Sequence, residues 1–550
     1  MNDKLVKDDL VNKDLVQGDP TYDPFERMVG RMLDTIAIGS NKSKLRTSIG
    51  HHTFTLSRRI LNEERNRAGY IRRDKTGSRY AEAVKLKRDI VRYFFKTGDI
   101  AIYVPVPNSK DWRPAKIETD EDGKRHIKDH PVWKITYVDP TKQGLYWILR
   151  YNNHSRQFSE YIIEARINPK VFVGIADYIR ASDNSYLIEV EKKFNEEAKL
   201  ISPLLGSYSL YIPKRIDFCV NFDLRELGIN CTPEQMMQLI KRGDYPSYFT
   251  EFMYKCKKSK RLKKFKYSFY LKSGTVNINC YYKYKELQQR KRKNPDLDIE
   301  DALHIIRFEV QCLYRKTRLE MIHERQQIAA EKEYRIKKYM DDNPNSTRSD
   351  AFLADRSYDD PVRVIHRMLS DMSAERIIEK YFNQIIKQGD YYTLAEAIRM
   401  VEDEHFNATK EQIIIDTLKR INEVGIAATR SEIQPQAMGL FCKTLKVLAD
   451  LNINPVTIPK SFKIKGKRIP NLLSQFKRLR DSGVLGNSVS GLYDDPYEAL
   501  DEPYEMDLLN VLQDDPLSVD RNDQPFISQP SINQPDIADL LDDEVYGIED

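Results

Sequence analysis

The chain has 550 residues, 40% of them hydrophobic and 31% charged. That is too long for one typical core, and no apolar run approaches the roughly 18 residues that a membrane span needs. The opening Met1-Asn2-Asp3-Lys4 leads into charged residues rather than an apolar signal segment, so a cytoplasmic protein with two or three domains plus tails is expected. The net charge of +6 hides a division. Residues 491–550 carry 18 acids and one base, Arg521, for −17, which leaves +23 on residues 1–490 (6 + 17). So basic a body points to a polyanionic partner, most often nucleic acid. The six cysteines (Cys219, Cys231, Cys256, Cys280, Cys312, Cys442) include no C-x-x-C pair, which argues against structural zinc and for reduced thiols.

In chain order, residues 1–24 read as a polar, disordered tail, and Met32–Ile38 as a first strand. A basic helix is predicted over 80–98. Strands follow at Asp99–Pro105, Trp133–Val138, Leu145–Tyr151 and 159–167, then a helix at about 187–200. Thr232-Pro233-Glu234-Gln235 looks like a helix start, with proline at the first helical position. Residues 251–270 hold eight bases (Lys255, Lys257, Lys258, Lys260, Arg261, Lys263, Lys264, Lys266) with Tyr254, Phe265, Tyr267, Phe269 and Tyr270 between them. That mixture suits phosphate contacts and base stacking. Residues 316–340 read as a long charged helix, 342–360 as a loop, and 361–485 as several amphipathic helices. The tail from about 486 is expected to be disordered and to compete with DNA for the basic groove.

Three stretches read as strands with one polar face: Lys214–Asn221, Asn277–Lys283 and Ile305–Gln311. Alternation puts Arg215, Asp217 and Asn221 on one side of the first. It pairs Tyr281 with Lys283 in the second, and aligns Arg307, Glu309 and Gln311 in the third. If the strands are neighbours, two acids, a tyrosine and a lysine converge over an apolar-backed sheet. Asp217 and Glu309 supply hard oxygens suited to Mg²⁺ or Mn²⁺. Tyr281 is a phenol able to attack phosphorus, and Lys283 a cation for the phosphate or a proton. Ion pairs of Asp217 with Arg215 and Glu309 with Arg307 are the plainer alternative.

The same residues carry a family resemblance. The Arg-Ile-Asp strand, Tyr281-Tyr282-Lys283-Tyr284-Lys285-Glu286-Leu287 and Ile306-Arg307-Phe308-Glu309-Val310, in this order, resemble the filamentous-phage gene-II/X-type rolling-circle replication initiators. Met32-Leu33-Asp34, Glu164–Lys170 and Leu451–Pro459 resemble further segments of that family. The likeness covers roughly residues 30–480.

The resemblance implies an α+β fold: an HUH-like Rep nickase domain (25–325) with an antiparallel sheet, a helical connector and loop (326–360), and a mostly α-helical domain (361–485). It implies a metal-dependent tyrosine nickase that forms a 5′-phosphotyrosine link, leaves a 3′-hydroxyl primer and later rejoins the displaced strand. Its DNA would be a replication origin, with a host helicase or polymerase as a further partner. Position by position the nucleophile is Tyr281, with Lys283 catalytic, Asp217 and Glu309 metal ligands, Arg215, Glu286 and Arg307 in support, and Lys170 among the DNA contacts. Tyr282 and Tyr284 stay open as nucleophiles. Where relatives can carry Gly-His-Asn, this chain has Gly174-Ile175-Ala176. The pair His51-His52 is read as surface in a loop-like stretch, and His304 as a third ligand candidate. A non-catalytic origin-binding or regulatory protein of the same fold is the alternative.

Overall fold

The computed structural model describes residues 45–482 apart from short segments at 66–70, 73–76, 98, 106–111, 116, 120–124, 128–131, 139–142, 156–157, 176–178, 256–260, 292–298, 355–361 and 465. The expected N-terminal tail, the strand at Met32–Ile38 and the acidic tail lie outside the described residues. The fold is mixed α+β, with antiparallel sheet and a helical C-terminal region. Among the described residues, no helix is long and apolar enough to cross a membrane.

Two compact units divide the chain. The first takes the described parts of Met1–Phe54, Asn168–Leu187 and Pro213–Ser488; the second takes those of Thr55–Ile167 and Ile188–Ile212. This differs from boundaries at 325 and 361. In the first unit the strands Thr250–Glu251, Ser268–Lys272, Val276–Tyr282, Ile305–Cys312 and Ile212–Asp223 lie side by side, and the opening of Ser48–Arg65 comes next. Val276–Tyr282 and Ile305–Cys312 pair antiparallel, as do Ile305–Cys312 and Ile212–Asp223.

The period-2 patterning decides which face is which. Phe218, Val220, Phe222, Ile306, Phe308 and Val310 form a buried apolar face. Phe382, on the helix Asp371–Ile385, stands 5.6 Å from Phe222 and 5.3 Å from Phe308 between ring centroids. Phe476 on the helix Leu472–Asp481 is 6.3 Å from Phe222. Helices and sheet therefore share one core, which is why the helical region is not a separate unit.

Local signals behave as the sequence suggests at several helix starts. Thr232 and Gln235 form a reciprocal capping box at Pro233–Ile240. Ser370 and Thr393 cap Asp371–Ile385 and Leu394–Asp403. The long helix runs Tyr314–Asp342, and the expected loop after it contains a further helix, Arg348–Ala354. Thr347, whose hydroxyl bonds Asp350 at 2.8 Å, supplies the start signal there.

The Leu451–Pro459 segment is a buried crossover. Asn454 donates to the carbonyls of Ile386 (3.0 Å) and Lys387 (3.2 Å), filling acceptors that the end of Asp371–Ile385 leaves open. Gly389, at φ +87°, passes so close that a Cβ would lie 2.4 Å from the Ile453 carbonyl carbon.

The second unit holds the remainder of Ser48–Arg65 and the antiparallel strands Phe158–Ile167, Leu145–Ser155, Val132–Val138, Asp99–Pro105 and Trp112–Pro114. Its helices are Gly77–Thr97 and Leu187–Ile201. Trp147, Phe194, Tyr208 and Tyr211 pack together in its core.

Candidate active site

The polar face opposite the apolar one gathers the residues singled out by alternation. Register places Asp217 across from Gln311, Cys219 from Glu309 and Asn221 from Arg307. On the other side, Asn279 faces Glu309 and Tyr281 faces Arg307. Asp217, Glu309, Tyr281 and Arg307 thus share one face on three neighbouring strands.

Lys283 reaches the group by another route. The strand ends at Tyr282, and Lys283 opens the helix Lys283–Lys291, so strand alternation does not place it. Its buried ammonium sits 5.7 Å from the centre of the Tyr281 ring and 2.7 Å from Glu286 Oε2.

Each carboxylate has named partners. Arg215 grips Asp217 with a fork, Nε to Oδ1 at 2.7 Å and Nη2 to Oδ2 at 2.9 Å, and the Thr53 hydroxyl donates to Oδ2 at 2.7 Å. Glu309 Oε1 accepts the Tyr281 hydroxyl at 2.6 Å and stands 3.6 Å from Arg307 Nη1; Asn279 donates to Oε2 at 3.4 Å. Arg307 is fully buried. It donates Nε to Asn221 Oδ1 at 2.7 Å and Nη2 to the Ile179 carbonyl, which also accepts from the Asn221 amide.

Burial pushes the Tyr281 phenol well above its ordinary range; the Glu309 charge adds to this and Arg307 opposes it. At rest Tyr281 is therefore a protonated donor with a carboxylate in place to take its proton. That is the arrangement by which a weak hydroxyl nucleophile is activated. Burial also lifts the Cys219 thiol to about 11, against the pull of Arg307.

The two other tyrosines are placed differently. Tyr282 belongs to the opposite face, and its hydroxyl donates to the Leu303 carbonyl at 2.8 Å. Tyr284 packs against Tyr282, with centroids 5.9 Å apart.

The expected divalent metal does not fit this set as arranged. Both Asp217 oxygens are taken by donors, and Glu309 offers only Oε2, which the Asn279 amide faces. Among the described residues, no group of three or more His, Cys, Asp and Glu side chains converges. A hard cation shared by these carboxylates would have to displace Arg215.

Other expectations need correcting. Lys170 is buried rather than on a DNA-facing surface. It lies in the short helix Pro169–Phe172, donates to the Arg180 carbonyl and acts electrostatically on Cys219. His304 interacts with Arg225, Asp223 and Arg46 rather than with Glu309. Of the basic segment, Lys255 lies in a small ladder of Tyr254–Lys255 with Leu262–Lys263. Arg261, Lys263, Lys264 and Lys266 are exposed, while Lys257, Lys258 and Lys260 fall outside the described residues. Lys264 pairs with Glu251 at 2.6 Å. Phe269 and Tyr270 are buried in the sheet, so they are not open to stacking on bases.

His51 is neither surface nor loop. It lies in the strand Ser48–Arg65, completely buried, and its backbone exchanges hydrogen bonds with Ser182. Burial lowers its pKa from 6.5 to about 4, with Asp183 opposing and Lys170 assisting. A histidine whose folded pKa is depressed stabilises the fold fully above its unfolded value of about 6.5 and loses that contribution as pH falls toward 4. His51→Met should accordingly flatten the loss of stability between those pH values in urea unfolding. An unchanged slope would assign the acid sensitivity to other groups.

The sequence reading missed Thr53, Asn279 and the structural use of Asn221. Asn277 and Asn279 alternate with Tyr281 on one strand, which was a usable signal. Thr53 comes from a strand more than 150 residues earlier and had none. No family model matches the chain, and neither the curated proteins nor the solved structures give a match.

Proposed function

We propose that the chain is a rolling-circle replication initiator with an HUH-like nickase fold, acting on origin DNA in the cytoplasm of a bacterial host. The observation that carries this reading is the 2.6 Å hydrogen bond from the half-buried Tyr281 to Glu309, beside the buried Arg307 and Lys283. In the proposed step the Tyr281 oxygen bonds to the phosphorus of the scissile link as its proton passes to Glu309. The bond from phosphorus to the 3′ oxygen breaks, and that oxygen takes a proton from solvent to become the hydroxyl that primes synthesis. Lys283 and Arg307 offset the developing negative charge. A second cut at the regenerated origin exposes a new 3′-hydroxyl on the displaced strand; its attack on the phosphotyrosine forms the circle's phosphodiester and releases the Tyr281 oxygen, which regains its proton from Glu309. A host helicase and polymerase would extend the primer.

A second reading is supported by the ion pairs themselves. Asp217 with Arg215, Glu309 with Arg307 and Lys283 with Glu286 neutralise one another, as in an origin-binding protein without the reaction. The test is a covalent-adduct assay. The protein is mixed with supercoiled DNA of its own replicon, with Mg²⁺, with Mn²⁺ and with chelator, and the denatured products are examined for a protein–DNA band. A band that disappears in Tyr281→Phe is expected. A band that persists in that variant would move the nucleophile to another tyrosine. No band under any condition would favour the binding protein.

A further inference from the structure

We infer that Asn277 and Gln311 read one unpaired base of the DNA strand held at the site, and that this base carries an amino group beside a ring nitrogen acceptor, as adenine and cytosine do. The inference deepens the nickase reading above and rests on its single-stranded DNA. It starts from a row of residues in the first unit that the proposed reaction leaves unused. Register sets Asn277 across from Gln311 and Gln311 across from Asp217, on the same face as Tyr281 and Glu309. Asn277 and Tyr281 share the strand Val276–Tyr282. At about 3.3 Å per residue they stand about 13 Å apart, or about two nucleotides of an extended single strand.

The two amides hold each other. Asn277 Nδ2 donates to Gln311 Oε1 at 3.3 Å. That bond leaves Asn277 Oδ1 as an acceptor and Gln311 Nε2 as a donor. Neither has a partner among the described residues, and both remain open to solvent. Gln311 is only 7% exposed. An amide so enclosed ordinarily finds its partners inside the protein. This one keeps a donor at the opening, next to the acceptor of its neighbour.

The third member of the row sets the order of donor and acceptor. Asp217 takes its hydrogen bonds from Arg215 and Thr53, yet its carboxylate stands directly opposite Gln311. Turning the Gln311 amide over would set oxygen against oxygen at Asp217 and nitrogen against nitrogen at Asn277. In the order that remains, the amino group of an adenine or cytosine donates to Asn277 Oδ1 while its ring nitrogen accepts from Gln311 Nε2. Thymine and guanine place a ring N–H beside a carbonyl, which is the reverse order. A plainer role, in which the pair only ties two strands together, accounts for the bond between the amides but not for the donor and acceptor left beside it.

The test uses the full chain, labelled short homopolymers of adenine, cytosine and thymine deoxynucleotides, and fluorescence anisotropy over a range of salt. Adenine and cytosine strands should bind about tenfold more tightly than thymine strands, as expected of one two-point base contact. In Asn277→Ala and in Gln311→Ala the preference should shrink to within about twofold, with the salt slope of the wild type, because no phosphate contact is lost. Gln311→Ala empties a nearly enclosed position, so Asn277→Ala, at a half-buried one, guards against a folding defect. Gln311→Glu, which exchanges the donor for an acceptor at equal size, should abolish the preference as well. A preference unchanged in Asn277→Ala would overturn the proposal, and so would wild-type protein that binds the three strands alike. The adduct assay keeps the two readings apart. No adduct from the wild type, with a base preference that the variants lose, would sink the nickase reading and leave the base subsite standing. An adduct without any such preference would do the reverse.

Discussion

Arg307→Met should destabilise the first unit by about 3–5 kcal/mol, the range expected when one partner of a buried charge pair is removed. Methionine keeps much of the aliphatic volume, so cavity formation is a small part of the cost. The main part is electrostatic. Arg307 is fully buried, and its loss leaves the Glu309 carboxylate, Asn221 Oδ1 and the Ile179 carbonyl short of a donor or a charge. Arg215→Met makes a useful comparison. Arg215 forms the better-aligned fork with Asp217, but its side chain is 27% exposed. Water can approach Asp217 once it is gone, and a smaller loss follows. Combining Arg307→Met with Glu309→Gln removes the charge left stranded, so the double variant should cost less than the sum of the singles. Urea midpoints followed by far-UV circular dichroism measure all of these. Strict additivity would mean that Glu309 does not depend on Arg307 for its charge.

This cluster also shows what could be read from the sequence. The faces of Lys214–Asn221 and Ile305–Gln311 were legible because β-branched and aromatic residues alternate there with polar ones, and a slip of one residue would bury every charge in the wrong layer. Tyr281 was legible for the same reason. Lys283 joined the right group for the wrong reason: the strand gives way to a helix at that residue, and no period-2 argument can see such a change. His51 illustrates a deeper limit. Two adjacent histidines in a polar context give no sign of burial, which arises only when Ser182 comes to lie beside the strand. The resemblance places Lys170 among the DNA contacts, yet the helix that carries it is buried throughout. Composition identifies a cation but not what it faces.

Phe382→Ala should cost about 3–5 kcal/mol, and the way that loss appears tests the division into units. Phe382 is fully buried between Phe222 and Phe308, so truncation opens a cavity where helices meet the sheet. The sequence boundaries would confine the damage to a helical domain beginning at 361. The shared core argues that the sheet must feel it too, because the ring fills space that the strands themselves line. The three tryptophans cannot report this, since Trp112, Trp133 and Trp147 all belong to the second unit. Far-UV circular dichroism reads the helices, and hydrogen exchange at the amides of Val220 and Phe308 reads the sheet. Both should show the same loss of stability in Phe382→Ala. Faster exchange in the helix Asp371–Ile385 with unchanged protection at Val220 and Phe308 would mean that the helical region unfolds by itself, and that the core they share contributes little to the sheet.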